Sequence, residues 1–291
     1  MTIDHERLLA APAFEQEYNY TARDSQLHAL ALGLGADPLD PGQLRFVHDR
    51  AEDFEAFPTQ SATLGWVDML RDPRIVDPLW GIDADRMVIG DIEIRMERTL
   101  PVAGSGVARS RFIDIVDKGA GRPALLHTRK ETINANGILL ATLDSWAFLR
   151  DGGGFGSPAG GGPERVVLPG RSADAVCDLP TAPNLALLFR LALGDHNALH
   201  ADPEHARRVG FDRPILHGIA NLGIAVHAAM QAVIGYDAGR VSAARARMTG
   251  AVVPGDTLRC EFWHADACLL FRATALERGG RVMDGGRIEL G

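Results

Sequence analysis

The hydrophobic and polar positions of the chain divide it into two similar series of predicted elements. Apolar and polar residues alternate, as is typical of half-exposed antiparallel strands, in six stretches: 89–100, 106–118 and 123–151, and again 239–253, 256–265 and 267–290. Tight turns are expected at Asn134-Ala135-Asn136-Gly137 and at Gly279-Gly280. The pattern predicts an antiparallel sheet in each half of the chain.

Helical stretches also occur in matching order. The apolar stretch 215–235 contains His217, Asn221, His227 and Gln231, so a buried helix is favoured over a membrane span. Residues 58–70 hold the corresponding place in the first series, about 155–160 positions earlier. This order predicts a duplication in which each copy lays one long helix on a curved sheet. Residues 1–14 are expected to form a tethered arm.

The strongest chemical signal lies in residues 194–200. Asp195 and His200 are five positions apart, which does not place them on one face of a continuous helix. They are therefore predicted on a loop between two short helices, and Gly194 and Asn197 are residue types that accept the irregular backbone of such a loop. A carboxylate and an imidazole on one loop can share the protons of a single water, which is general acid–base chemistry.

A second interpretation of the same residues is structural. Asp and His can simply cap neighbouring helices, and Asp202, just before Pro203, is predicted to be such an N-cap. The spacing of the acid and the histidine does not decide between a catalytic pair and two caps.

Length and composition narrow the choice of protein class. The chain has 291 residues, enough for two domains, and a formal net charge of −8, which argues against nucleic acid as a partner. The three cysteines have no metal-ligand spacing and indicate a reducing compartment. The first residues do not resemble a signal peptide, so we expect a cytoplasmic protein that does not span a membrane.

Residues 194–218, GDHNALHADPEHARRVGFDRPILHG, resemble the signature of the MaoC-like, (R)-specific enoyl-CoA hydratases, also called hydratase 2. That signature runs Gly-Asp-x-Asn-Pro-(aliphatic)-His-x-Asp-Pro, followed by Gly-Phe-x-(Arg/Lys)-Pro-Ile-Leu-His-Gly. The resemblance implies that Asp195 and His200 are the catalytic pair and that Asn197 supports them. The family also uses the region of Gly218 to stabilise an oxyanion, which suits an amide at a helix N-terminus.

This chain departs from the family pattern at three places. Ala198 stands where a proline is usual, and Leu193 where a Ser or Cys often precedes the glycine. Residues 89–92, Ile-Gly-Asp-Ile, stand where many relatives carry His-Gly-Glu-Gln. If residues 89–92 help to shape the acyl pocket, the substrate is atypical.

The resemblance extends over nearly the whole chain, through residues 20–47, 57–66, 117–119 and 152–156. It implies a double hot-dog fold of the α+β class, with two long helices each wrapped by a curved antiparallel sheet. Residues 1–156 are interpreted as a non-catalytic domain that accommodates the acyl chain, and residues 157–291 as the catalytic domain. The glycine-rich segment 151–166 is predicted to be the linker between them.

The resemblance also implies the reaction, hydration of a trans-2-enoyl thioester to its (3R)-hydroxy product. Candidate substrate-binding residues are His217, Asn221, Arg208 and Arg213. We expect no metal and no cofactor, an acyl-CoA or acyl-carrier-protein thioester as substrate, and either a monomer or a homodimer. The alternatives are a hot-dog acyl-CoA thioesterase and a non-catalytic protein that binds acyl thioesters.

Overall fold

The computed structural model of the chain describes residues 2–156 and 161–291. The strands in these residues are β1 (Phe14–Tyr20), β2 (Met87–Met96), β3 (Gly104–Asp117), β4 (Ala124–Asn134), β5 (Leu139–Leu149), β6 (Ala175–Pro180), β7 (Val241–Met248), β8 (Thr257–Ala265), β9 (Cys268–Ala275) and β10 (Gly280–Leu290). The α-helices are α1 (His5–Leu9), α2 (Ala22–Leu30), α3 (Pro41–Leu44), α4 (Leu185–Leu193), α5 (Pro203–Arg208) and α6 (Gly218–Ala229).

These strands form a single antiparallel sheet in the order β1-β3-β4-β5-β2-β7-β10-β9-β8-β6. The order in the second half repeats that of the first half in reverse, so the halves meet symmetrically at the β2–β7 pair. This arrangement confirms the predicted double hot-dog fold. The domain boundary predicted between 156 and 157 adjoins residues 157–160, which lie outside the described part of the chain, so that division stays a prediction.

Helix α6 is the centre of the second half. Its residues from Ile219 to Ala229 are all buried, and it continues as a π-helix over Met230–Ile234. A helix that is mainly apolar all round has to be covered on every side. Strands of the sheet cover one side, and Leu32 and Thr59 of the first half lie against Gly223 on another. The prediction of a buried helix is confirmed, and among the described residues no helix is long and apolar enough to cross a membrane.

The long helix predicted for residues 58–70 is wrong. The structure has a 3-10 helix over Pro58–Ala62 and then turns, with Gly65 at φ 61°. Two carbonyl groups that a helix would use internally are taken by side chains of β4: Ser61 accepts from the Thr132 hydroxyl at 2.8 Å and Leu64 from the Lys130 ammonium at 2.5 Å. Side-chain hydrogen bonds of this kind compete with helix formation.

The interpretation of residues 1–14 as an arm is also wrong. Ile3 and Leu8 are buried and belong to the same hydrophobic cluster as Trp80 and Phe112. The segment contains α1 and opens β1, which pairs with β3. These residues are too few to show a clear period, so only the packing partners reveal that they belong to the core.

Gly65 provides a test of how residues 58–70 are held. Its backbone is left-handed, and a Cβ there would lie 2.6 Å from the Ala108 Cβ. We expect Gly65→Ala to lower the free energy of unfolding by about 3 kcal/mol, because a left-handed residue with a side chain costs about 1 kcal/mol and overpacking costs about 2 more. Urea unfolding followed by circular dichroism measures this.

Gly33→Ala is the matched control. Gly33 also has a positive φ, 85°, but a Cβ there would meet nothing within 4 Å. In this variant the free energy of unfolding should fall only by the cost of the left-handed backbone, about 1 kcal/mol. Equal losses in the two variants would show that the contact between residue 65 and β3 is not tight.

Candidate active site

The loop that carries Asp195 begins and ends as predicted. Helix α4 stops at Gly194, whose φ of 73° is left-handed, and Asp195 follows at once. The Asn197 side chain caps a 3-10 helix over Ala198–His200 by accepting from the Leu199 amide at 3.0 Å. Asp202 caps α5 by accepting from the Glu204 amide, so its predicted role as an N-cap is confirmed.

Three ionisable side chains meet beside this loop, and all three are buried: Asp195, His200 and His217. The Asp195 Oδ2 lies 4.0 Å from the His200 Nε2 and 3.3 Å from the His217 Nε2. The two imidazole rings are stacked with their centroids 3.6 Å apart. Sequence reasoning placed His217 at the pocket but missed that it is nearer to the carboxylate than His200 is. No spacing signal in the chain relates the two.

The tautomer of His200 follows from its surroundings. The Nδ1 atom lies 2.8 Å from the Ile215 carbonyl oxygen, and because a carbonyl only accepts, Nδ1 carries the proton. The Nε2 atom of the neutral ring therefore has a free lone pair on the side of Asp195. The gap of 4.0 Å between this nitrogen and Oδ2 is too long for a direct hydrogen bond. One water can bridge it by donating a hydrogen to each.

Burial and contacts set the charges of the group. Burial by itself would raise the pKa of Asp195, but the contact with His217 and the hydrogen bond from the Asn197 amide, at 3.0 Å, bring that pKa down to about 2. Burial lowers the pKa of His200 to about 3, and the adjacent His217 ring adds to the lowering. Burial also lowers the pKa of His217. At neutral pH the site therefore holds one carboxylate beside two stacked, neutral imidazoles.

Gly218 begins α6 next to this group. The side chain of the N-cap residue His217 makes no cap hydrogen bond, and the Gly218 amide has no partner among the described residues. A free amide at the start of a buried helix is a donor for a developing negative charge. A Cβ at position 218 would lie 3.2 Å from the Ile92 Cδ1, so a larger residue would close the approach to the amide.

A first cavity extends from the ionisable group into the first half of the chain. The end next to this group is lined by Asp195, His200, His217 and Gly218. Its other walls come from residues 66–70 and from the inner faces of β2, β3, β4 and β5. Part of the segment that was predicted to be a long helix therefore lines the cavity, whose empty space, including open solvent at its mouth, is about 980 Å³.

A second cavity meets the first at His200, Asn197 and Gly218. Its walls include Asn221, whose Oδ1 is buried with no hydrogen-bond partner among the described residues. Arg150, an exposed arginine from the first half, also lines it. The group of Asp195, His200 and His217 thus lies at the junction of a mainly apolar cavity and a second one that reaches the exposed Arg150.

The structure separates the predicted residues into two sets. Asp195, Asn197, His200, His217, Gly218 and Asn221 all lie at this junction. Arg208 and Arg213 are exposed and line neither cavity, and Arg208 contacts His205 at 2.6 Å. Their predicted role in binding the substrate stays a prediction without support from the geometry.

Sequence reasoning missed most of the contribution of the first half. Ile89 and Ile92 line the first cavity and face Gly218. The only sequence signal for them was the departure from the family pattern at residues 89–92. Lys130 and Arg150 gave no signal at all, because β-strand pairing brings them to the cavities from distant parts of the chain.

The same group could also hold a metal ion. Asp195, His200 and His217 each offer one ligand atom, and these atoms lie within 4.8 Å of one another. Two imidazoles and a carboxylate form a donor set that divalent transition metals accept. The expectation that the protein needs no metal stays a prediction.

Comparison with known proteins assigns each half of the chain to a described family. Residues 18–151 match the MFE-2 hydratase 2 N-terminal domain, and residues 165–283 match the MaoC like domain. A Mycobacterium tuberculosis protein named enoyl-CoA hydratase ChsH3 is 33% identical over 97% of both chains. The Arabidopsis thaliana protein named enoyl-CoA hydratase 2, peroxisomal, is 33% identical over 96% of this chain and 93% of its own.

Solved structures agree with this assignment. The crystal structure of a MaoC-like dehydratase from Phytophthora capsici superposes with a TM-score of 0.84, at 29% identity and over 98% of both chains. A Mycobacterium tuberculosis protein described as a double hotdog fold superposes with a TM-score of 0.60 at 17% identity, which supports the fold alone.

Ala198 provides a test of the loop. It is the first residue of the 3-10 helix, a position that accepts proline, and Asn197 before it has an extended backbone with ψ 121°, which a following proline requires. We expect Ala198→Pro to raise the free energy of unfolding by about 0.5–1 kcal/mol, because proline restricts the unfolded chain. Urea unfolding measures this change in the free energy of unfolding. Ala201→Pro is the contrasting variant: the φ of Ala201 is −141°, which proline cannot adopt, so this substitution should destabilise the protein.

Proposed function

The chain belongs to the family of MaoC-like, (R)-specific enoyl-CoA hydratases of the two-domain hydratase 2 type, and from this membership we propose how its buried site adds water to a trans-2-enoyl-CoA. The protein is a hydro-lyase. The observation that supports the proposed mechanism is the distance of 4.0 Å between the Asp195 carboxylate and the His200 Nε2, which one water can bridge. The Gly218 amide, which has no partner among the described residues, lies beside this pair. The hydroxyl goes to C3 and the proton to C2, and the reverse reaction dehydrates the (3R)-hydroxyacyl-CoA.

Asp195 and His200 together orient the water. Both are acceptors at neutral pH, so the water donates one hydrogen to each and presents a lone pair to the substrate. Holding a reactant in the attacking geometry removes much of the entropic barrier of a reaction between two molecules. The Asn197 amide orients the Asp195 carboxylate by donating to Oδ1, and the His217 Nε2 lies 3.3 Å from Oδ2, the oxygen that faces His200.

His200 is the better base of the pair. A proton on Asp195 would weaken its contacts with the Asn197 amide and with His217. A proton on His200 instead creates an imidazolium next to a carboxylate, and the low polarity of the site strengthens that pair. His200 therefore takes the water proton and returns a proton to C2, and Asp195 stabilises the charged intermediate state.

The negative charge that develops on the thioester oxygen needs a donor in a fixed position. The Gly218 amide fills this role, since it is free and stands at the positive end of α6. The acyl chain then occupies the first cavity, and the rest of the thioester occupies the second, where Asn221 and Arg150 are available. An acyl-carrier-protein thioester, a homodimer and a cytoplasmic location stay predictions.

The direct test is hydration of trans-2-enoyl-CoA substrates by the purified protein. We expect loss of the conjugated enoyl absorbance and a product of (3R) configuration, checked by chiral chromatography. Release of free thiol instead of hydration would indicate a thioesterase. Binding of the thioester without turnover would indicate a non-catalytic protein.

Asp195→Asn tests the assigned pair. The variant keeps the shape of the side chain but loses the charge, so kcat should fall about 10²–10⁴-fold, the usual contribution of a general acid–base group. Asp212→Asn is the matched control, because Asp212 is exposed and lines neither cavity, and it should keep the wild-type rate. A wild-type rate in Asp195→Asn, with intact circular dichroism, would contradict the mechanism.

The pH dependence of kcat tests the protonation states. Because burial lowers the pKa of His200 to about 3, its base form is fully populated from pH 5 to pH 8. We therefore expect kcat at saturating substrate to be flat over this range. If the base were a histidine with an ordinary pKa of about 6.5, kcat would fall roughly thirty-fold from pH 8 to pH 5. A fall of that size would refute the assigned base.

A further inference from the structure

Lys130 is a buried cation that the hydration mechanism does not use. It lies on β4, and only 5% of its surface is exposed. The chain has only two lysines, Lys118 and Lys130, among its 30 basic residues. Lys130 lines the first cavity, whose catalytic end is formed by Asp195, His200 and Gly218. The cation therefore shares one continuous space with the reacting groups.

The Lys130 ammonium has hydrogen bonds but no counter-charge. Its Nζ donates to the Leu64 carbonyl at 2.5 Å and to the Thr132 hydroxyl at 3.2 Å. An ammonium has three N–H groups, so one remains available. Among the described residues no carboxylate lies within ion-pair distance of Nζ, and none contributes to its pKa.

Two other charged groups of this cavity have partners of opposite charge. Asp68 binds Arg71 at 2.9 Å. Arg129, from the same strand as Lys130, binds Asp144 at 3.0 Å. At the far end, the Asp195 carboxylate lies 3.3 Å from the neutral His217 ring. Lys130 is therefore the cation of this cavity wall that has no carboxylate partner among the described residues.

Three hydroxyl groups surround the same part of the wall. Ser110 on β3 is the direct cross-strand partner of Lys130, so both side chains lie on one face of the sheet. Thr128 is two positions before Lys130 on β4, on that same face, and its cross-strand partner is Ser145 on β5. These three side chains line the cavity and have no hydrogen-bond partners among the described residues.

A purely apolar acyl chain does not explain this polar wall. Burial lowers the pKa of Lys130 to about 7, since the charged form is poorly solvated there. Free hydroxyls and an unpaired cation are costly against a hydrocarbon, because each would lose its water without a replacement. A ligand that brought acceptor oxygens, with a negative charge, would supply the missing partners.

We propose that Lys130, together with Ser110, Thr128 and Ser145, binds an oxygen-bearing group on the acyl chain and prefers a carboxylate. The substrate class is then an enoyl thioester whose acyl chain ends in an acidic or oxygenated group. This inference rests on the proposed hydration, because the acyl chain enters the first cavity only if its thioester lies at Gly218. The carboxylate accepts from the Lys130 ammonium and from the serine and threonine hydroxyls.

The test compares matched pairs of trans-2-enoyl-CoA substrates that end either in a methyl or in a carboxylate, at a short, a medium and a long chain length. Substrates that end in a hydroxyl form a third arm. We expect kcat/KM to favour the carboxylate by about tenfold or more at the length that reaches Lys130, as a charge-assisted hydrogen bond in a buried site would produce. For substrates that end in a hydroxyl, kcat/KM should lie between the values for the methyl and the carboxylate substrates.

Lys130→Met removes the charge and keeps the length of the side chain. The ratio of kcat/KM for the carboxylate-terminated substrate to kcat/KM for the methyl-terminated substrate should fall to about one. Lys118→Met is the matched control, since Lys118 lies over the Phe148 ring and does not line the cavity, and it should keep the preference. An equal fall for both substrates in Lys130→Met would show that Lys130 only anchors Leu64.

The wild-type protein gives a further readout that does not depend on folding of a variant. Because the pKa of Lys130 is about 7, the ammonium is charged below that pH and neutral above it. The preference for the carboxylate should therefore be larger at pH 6 than at pH 8.5. A preference that is absent at every length, or that does not change with pH, would overturn the inference.

The two proposals fail in different ways. Hydration of methyl-terminated substrates without any preference for the carboxylate would leave the proposed function intact and reject the binding site at Lys130. No hydration of any substrate in a folded protein would reject the proposed function, and the inference about Lys130 with it.

Discussion

The pairing of β2 with β7 is the constraint on which the rest of the structure depends. It joins the two halves into one sheet, from Asp91 opposite Arg247 to Arg95 opposite Ala243. Because β2 belongs to the first half, this pairing brings Ile89 and Ile92 against Gly218, the first residue of α6. The start of α6 therefore has a wall that the first half provides, and residues of both halves line the cavity.

The two halves share a strand order but differ in what their sheets cover. In the second half the sheet covers α6, a helix that is buried on every side. In the first half, Thr132 and Lys130 bind the carbonyls of Ser61 and Leu64, and the chain there forms a 3-10 helix and turns. Residues 66–70, from the end of this segment, line the first cavity. The hydrogen bonds that prevent a long helix thus also fix one wall of the cavity.

The catalytic group combines burial with a small number of well-placed partners. Burial keeps both imidazoles neutral, while the Asn197 amide and His217 keep Asp195 ionised. The same environment makes the unpaired Lys130 notable, because a charge without a partner is costly in a buried wall. One cavity therefore has the Asp195 carboxylate at one end and the Lys130 ammonium on its wall.

Local patterns in the sequence predicted eight of the ten strands, the buried helix α6 and the loop with Asp195 and His200, since each depends on a period, a turn residue or a contiguous motif. The edge strands β1 and β6 were not predicted. The contact between Asp195 and His217, the contribution of Ile89 and Ile92, and the environment of Lys130 become visible only in the folded chain. Tertiary structure also replaced the helix predicted for residues 58–70, because the hydrogen bonds that prevent it come from β4, far along the chain. Such contacts arise from strand pairing, which has no periodic signature in the residues that it brings together.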